Sequence, residues 1–515
     1  MDGGGKAAGA EDWGPFGRPL FDDPSALALS RVGVVDVGSN SVRMVVFDGA
    51  ARSPAYFFNE KVMAGLGAGL AETGCLNPNG RVRAMAALRR FQGLAEAMSL
   101  EPLTAVATAA VREARDGPEF CEEVFRETGL RLWVIDGEEE ARLSAQGVLL
   151  GWPGAYGLAC DLGGASMELA ELRDGVVGRR LSSQLGPQRL RVVKGGKKGL
   201  RKFLKQEVGA LAETIGPQRD RLFLVGGSWR AIARIDMDRR GYPLAALHEY
   251  RMSRKTVYRT IEFIEESDLE ELRTRVGLGE GRMDLLPLAS QLLKHLVREF
   301  KPYDIAISSY GIREGMLYEQ MPQELRDRDP LIEACRFHEA KDARMPGFGR
   351  RLYDFVLPLF SGRSAPDKRL IKAACLLHDV SWRAHPDYRH EVSFAEVTRA
   401  NFGGMTHQER VFLGVALLHR YKNSRADTPF QDLVDLIEES DLNWAEILGK
   451  ALRFGAMLTA SEDDKMGELR YYPKRKCLEL RLAPGTRDLY GEVAEARLNS
   501  LAGALGGVEI VVKGR

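Results

Sequence analysis

The sequence predicts an α/β fold of two duplicated lobes, followed by a helical C-terminal region, and three observations carry that expectation. Arg31–Asp48 reads as two β-branched apolar runs joined by a Gly-Ser-Asn-Ser turn, which is the pattern of a β-hairpin. Leu158–Asp174 repeats the layout: Asp36 and Asp161 stand 125 positions apart, and Gly38 matches Gly163 and Ser41 matches Ser166 at the same offset, the mark of an internal duplication. Beyond about residue 325 the alternation of strand and helix signals gives way to mostly helical spacing, as in Ile371–Val380.

The segments between follow in order. Asn79–Met98 has helical apolar spacing, Leu103–Ala110 reads as a strand, Glu119–Gly129 as a glycine-ended helix and Leu132–Ile135 as a short strand. Leu200–Ile215 is an amphipathic helix, and Arg221–Ile235 and Asp304–Met321 each read strand-turn-helix. Leu285–Phe300 has the spacing of a core helix, with His295 packed or on its surface. The expected organisation is a tail over 1–30, a first lobe over 31–140, a second over 141–325 and the helical region over 326–515.

With 515 residues, 44% of them hydrophobic and 28% charged, the chain belongs to the multi-domain globular class. Lys and Arg number 73 against 72 Asp and Glu, so no global field would recruit nucleic acid or an anionic membrane. The six cysteines are scattered without a C-x-x-C pair, which excludes a zinc-finger-like site and points to reduced thiols. Residues 1–30 lack the basic start and apolar stretch of a secretory leader, and no uncharged run reaches membrane-spanning length. A cytoplasmic location is the expectation.

Each hairpin turn sets an Asp beside backbone N–H groups and small hydroxyls, with glycines that let an oxyanion approach the backbone. Ser39, Asn40 and Ser41 in the first turn and Gly163, Gly164, Ala165 and Ser166 in the second are therefore candidate phosphate-binding residues. Across the second hairpin, Asp161 and Glu168 are candidate ligands for a hard divalent cation, with magnesium the expected ion. The plainer reading makes Asp161 a turn cap and Glu168 an outward strand residue. Between Arg189 and Lys205 stand eight Lys and Arg and no acid, among them Lys197 and Lys198. Such a track suits a polyanion, and equally suits a solvated helix face.

The segments VVDVGSNSVRMVV, ATAAVREA, DGEEEARL, CDLGGASMEL, LVGGS and YGIREGML, in that order, resemble the exopolyphosphatase and guanosine pentaphosphate phosphohydrolase family. The likeness is strong over about 31–320 and weaker beyond. It implies two actin-like (ribonuclease H-like) lobes around a cleft. It also implies Glu140 as the carboxylate that activates water, Arg112 beside it as a catalytic residue, and Arg313 with Gly226, Gly227 and Ser228 at the phosphates. Without the family, the Glu138–Glu140 run is a solvated helix start, its acids favoured by the helix dipole. The second turn departs from the commoner DIGGGS pattern at Leu162 and Ala165.

The implied activity is hydrolysis of terminal phosphates from inorganic polyphosphate, releasing orthophosphate; the alternative is conversion of pppGpp to ppGpp. A superfamily kinase and a non-catalytic sensor are the other classes, separated by whether free phosphate appears without an acceptor and whether binding occurs without turnover. His378-Asp379 resembles the paired ligands of HD-domain phosphohydrolases, but Ala456 stands near where their late Asp is expected. The expectation is a degenerate HD-like fold without metal, with His338, His385, His390 and His419 as unplaced substitutes. A homodimer that lengthens the substrate channel is also expected, without membrane or specific nucleic-acid partners.

Overall fold

The computed structural model describes residues 31–48, 52–100, 102–216, 220–458 and 466–514, so the expected tail over 1–30 lies outside the described residues. The chain divides into two compact units, one running to Arg328 and the other from Asp329 onward together with Tyr242–Ala246.

The first unit holds two sheets. One has the order β3-β2-β1-β4-β5, from β1 (Val32–Val37), β2 (Val42–Phe47), β3 (Tyr56–Val62), β4 (Thr104–Ala107) and β5 (Leu132–Val134). The other runs β10-β11-β9-β6-β7-β8, from β6 (Gly157–Leu162), β7 (Met167–Arg173), β8 (Val176–Ser183), β9 (Arg221–Val225), β10 (Arg251–Met252) and β11 (Asp304–Ser308). β1 pairs antiparallel with β2 and parallel with β4, and β6 repeats this with β7 and β9. The duplication read from the two hairpins thus extends to the whole sheet order. The edge strands β3 and β8 were not among the expected elements.

Alternation along the strands sorts their faces. Val35, Val37 and Met44 pack toward the Pro78–Ala97 helix, whereas Val32, Val34, Val45 and Phe47 join Ala159, Ala170, Leu172 and Phe223 of the other sheet in one core. By the same period of two, Asp36, Arg43, Asp161 and Glu168 face the side shared by the two sheets.

Two helices occupy that shared side: Gly137–Gly151, the Glu140 helix, and Ile312–Glu319, the Arg313 helix. They approach so closely that a Cβ on Gly147 would lie 2.2 Å from the Gly311 carbonyl oxygen, and one on Gly315 only 1.8 Å from that of Leu143. Only glycine permits this crossing. The Glu140 helix packs on β6, β7 and β8. Residues 137–140 begin this helix. Its C-terminal carbonyls are capped by buried Arg52, which donates to Leu150 O at 2.6 Å and Leu149 O at 3.2 Å.

The strand expected over 103–110 stops at Ala107. The Thr108 N–H donates to Val37 O, and the good helix formers Ala109–Glu113 turn into a helix. The second unit is mostly helical, with long helices at Pro330–Asp342, Ala365–Leu377, His407–Tyr421 and Glu439–Leu458. It also carries a three-stranded sheet, β12 (Glu468–Tyr472), β13 (Cys477–Arg481) and β14 (Glu509–Lys513), where only helices were expected.

Candidate active site

The two glycine turns coincide in detail. Gly38 N donates to Ser41 O at 3.0 Å and Gly163 N to Ser166 O at 3.1 Å, so both leave N–H groups and hydroxyls facing a common cavity of about 880 Å3. Ser39–Ser41, Gly163–Ser166 and the third turn, Gly226–Ser228, all line it. Ala165 does not adopt a positive φ, so its methyl is carried without backbone strain. The glycine that the second turn does need is Gly186, whose Cβ would fall 2.1 Å from the Ala165 carbonyl carbon.

Four carboxylates gather at the C-terminal ends of β1 and β6. Asp36 pairs across β1–β2 with Arg43, and Asp161 across β6–β7 with Glu168. Arg43 and Glu168 are thus duplicate positions filled by opposite charges. Asp161 accepts a hydrogen bond from Ser144 on the Glu140 helix, and Glu168, only 1% exposed, accepts from Ser182 at 3.0 Å. Glu168 is an inward residue and not the outward one of the plainer reading.

Of the acidic run, Asp136 caps the helix by accepting from Glu139 N, Glu139 pairs with Arg142, and Glu138 is exposed. Glu140 alone turns into the cavity. Its Oε2 is buried without a hydrogen-bond partner and lies 3.5 Å from Arg112 Nη1. Burial pushes the Glu140 carboxyl well above its usual range, reinforced by Glu168 and Asp161. Burial and the Asp161 charge push Glu168 up to about 8. Burial likewise raises Asp36 and Asp161.

Facing this wall is a cationic one. Arg313 is 8% exposed, its Nε and Nη1 unpartnered, and its charge is sustained against burial by Glu314, Asp36 and Asp161. Beside it Arg43, Lys61, Arg230 and Arg282 also line the cavity. Burial and mutual repulsion lower all four, Arg43 to about 10 through burial and Arg313. Packing cations this tightly stabilises only a site that receives an anion.

Sequence reading missed these four. Arg43 had a signal, since it stands inward on the alternation of β2; Arg230 follows the third glycine turn by two residues. Lys61 lies on an edge strand that was not anticipated, and Arg282 lies in the short Glu280–Met283 helix, which carries no motif.

Arg112 donates to Ile135 O at 2.8 Å and leaves Glu113 to Arg189 and Asp116 to Arg81, so it is no surface partner of either acid. Lys197 and Lys198 stand exposed at the start of the Gly196–Ile215 helix, outside the residues that line the cavity. In the second unit, Asp379 is held in a two-point pair by Arg344, at 2.7 and 2.6 Å, where a metal would stand in an HD site. His378 is buried, its Nδ1 set 2.8 Å from Cys375 O.

Paired glycine turns, a carboxylate whose buried Oε2 lacks a hydrogen bond and a cluster of cationic side chains line one cavity of a two-lobed α/β protein. The model of the Ppx/GppA phosphatase family matches residues 45–324, and that of the exopolyphosphatase C-terminal region matches 343–511. The chain belongs to the Ppx/GppA phosphatase family.

Exopolyphosphatase 1 of Mycobacterium leprae is 28% identical over 335 residues, covering 57% of this chain and 90% of that protein. Retrograde regulation protein 2 of Saccharomyces cerevisiae is 24% identical over 448 residues, covering 78% of this chain and 74% of that protein. The crystal structure of an exopolyphosphatase from Cytophaga hutchinsonii superposes with a TM-score of 0.51 at 24% identity, covering 57% of this chain and 98% of that one. A Ppx/GppA family member from Aquifex aeolicus gives 0.50 at 24% identity, with 58% and 99% covered. These structures share the two-lobed fold.

Proposed function

We propose that the protein is an exopolyphosphatase, hydrolysing the terminal phosphoanhydride of inorganic polyphosphate and releasing orthophosphate. One observation carries this reading: the same cavity is lined by Glu140, whose buried Oε2 has no hydrogen-bond partner, and by five cationic side chains, Arg43, Lys61, Arg230, Arg282 and Arg313. The terminal phosphate rests on the N–H groups and hydroxyls of the two turns, and the phosphates behind it on Arg43, Arg230, Arg282 and Arg313. Glu140 takes a proton from the attacking water as its oxygen bonds to the terminal phosphorus. The anhydride P–O bond breaks, and the chain, shorter by one phosphate, keeps the bonding electrons. A base whose proton affinity is raised toward neutrality is suited to that transfer. Arg112, beside Glu140, and Arg313 offset the charge that builds on the transferring group.

Among the described residues no group of three or more His, Cys, Asp or Glu is placed to hold a metal ion by itself. The buried Oε2 of Glu168, without a hydrogen-bond partner and across the strand pair from Asp161, would nevertheless suit a hard divalent cation such as magnesium. Asp161 and Glu168 would hold it, and it would supply charge neutralisation at the phosphate.

Removal of the 5′-terminal phosphate of pppGpp is a second reading, since that bond presents the same anhydride to the same residues. The test is phosphate release from long-chain polyphosphate and from pppGpp, with and without magnesium, by wild type and Glu140→Gln. Loss of general-base assistance lowers the rate by about 10²–10⁴-fold. Full activity in the variant would remove Glu140 from the mechanism, and no release from either substrate would overturn the hydrolase reading.

A further inference from the structure

In the second unit the HD-like pair His378-Asp379 is surrounded by positive charge. Arg344, exposed, clasps the Asp379 carboxylate; behind it stands Arg420, 7% exposed, whose Nε has no hydrogen-bond partner. Among the described residues no carboxylate stands within ion-pair distance of Arg420; the Asp379 charge supports it from farther off, and the adjacent Tyr421 ring lies 4.9 Å from its guanidinium. Tyr421 donates its hydroxyl to His378 O at 3.1 Å, which ties the end of the His407–Tyr421 helix to the HD pair. Arg389 adds a third guanidinium charge felt at Arg420. His378 is held neutral at ordinary pH by burial and by Arg420, its pKa lowered to about 4. Three guanidinium groups therefore face one carboxylate.

A buried charge without a partner costs several kcal/mol and is rarely left so in a native protein. Around His378-Asp379 the chain gathers cations, Arg344, Arg389 and Arg420. We propose that the degenerate HD pocket is an anion site, with Arg420 and Arg344 receiving a phosphate group. That group is either free orthophosphate, the product of the reaction proposed for the cleft, or one unit of a polyphosphate chain. Arg344, exposed at the surface, exchanges one arm of its clasp on Asp379 for the incoming oxygen, and Arg420 neutralises the anion from beneath.

The test is hydrogen exchange of the full chain, read by mass spectrometry over peptides spanning Cys375–Trp382 and His419–Asn423. Orthophosphate and tripolyphosphate are compared with chloride at matched ionic strength. The expected result is slower exchange in both segments with one or both phosphates, and the stronger of the two names the source. That protection is lost in Arg344→Gln, a surface change the fold tolerates, and in Arg420→Met. Cleft peptides around Gly163–Ser166 report separately on the first unit, so failure there leaves this inference standing. No protection beyond chloride in wild type, or equal protection in both variants, would overturn it.

Discussion

Replacing Gly315 by alanine probes whether the crossing of the Glu140 and Arg313 helices sets the catalytic geometry. The new Cβ would lie 1.8 Å from Leu143 O and 2.6 Å from Leu143 C, both backbone atoms that no rotamer change can move aside. Relief to an ordinary separation of about 3.5 Å requires the helices to part by roughly 1.5 Å. Glu140 rides on one helix and Arg313 on the other, so the shift passes directly to the distance between base and phosphate clamp. A misplacement of about 1 Å is enough for a loss of about 100-fold in rate. The strain itself costs roughly 1–3 kcal/mol, which leaves the fold intact. Steady-state phosphate release and thermal melting together read both effects. Gly93→Ala, where nothing stands within 4 Å of the new Cβ, is the control and should keep full activity. Activity in Gly315→Ala within a few-fold of wild type, with the melting point lowered, would refute the claim that the crossing positions the catalytic pair.

Three other outcomes follow from the geometry. Glu168 binds its proton up to about pH 8 when folded against an ordinary 4.5 when unfolded. The native state therefore holds more protons in that window, and stability falls as pH rises through it. Magnesium should reverse the fall, and Glu168→Gln should flatten it in melts taken across the range; an unchanged slope in the variant would count against the assignment. Arg52→Met leaves the last carbonyls of the Glu140 helix without their donor and should cost about 3 kcal/mol in denaturant unfolding. Ala165→Gly should leave phosphate release unchanged, since the alanine carries no strain, while lowering stability by about 0.4–1 kcal/mol through the freer unfolded chain.

The duplicated hairpins were legible because turn chemistry and strand alternation are local signals, and they located the two glycine turns and Asp161 that line the cavity, with Glu168 beside them. Glu140 was not readable by itself: three consecutive acids look alike until the helix phase decides that Glu139 turns to Arg142 and Glu140 to the cavity. The cationic wall was largely hidden because its five members come from five separate elements, and no spacing rule links Lys61 to Arg282. The same limit applies at the HD pair, where Asp379 is plain in sequence but Arg344, which clasps it, lies 35 residues upstream and without motif. The sheet of β12, β13 and β14 escaped because its strands are five residues each and β14 is reached only after an intervening helix.

Among the equivalent positions at which the duplicated hairpins differ, Arg43 and Glu168 carry opposite charges. Had both halves kept the same residue, a chain of identical phosphates would meet two interchangeable walls and have no reason to lie one way rather than the other. Opposite charges at these positions make the two halves of the site unlike, Arg43 lining the cavity and Glu168 buried beside Asp161. A polymer that is the same from either end thereby acquires a direction on the protein, with its terminus at the carboxylates and its length drawn back along the arginines.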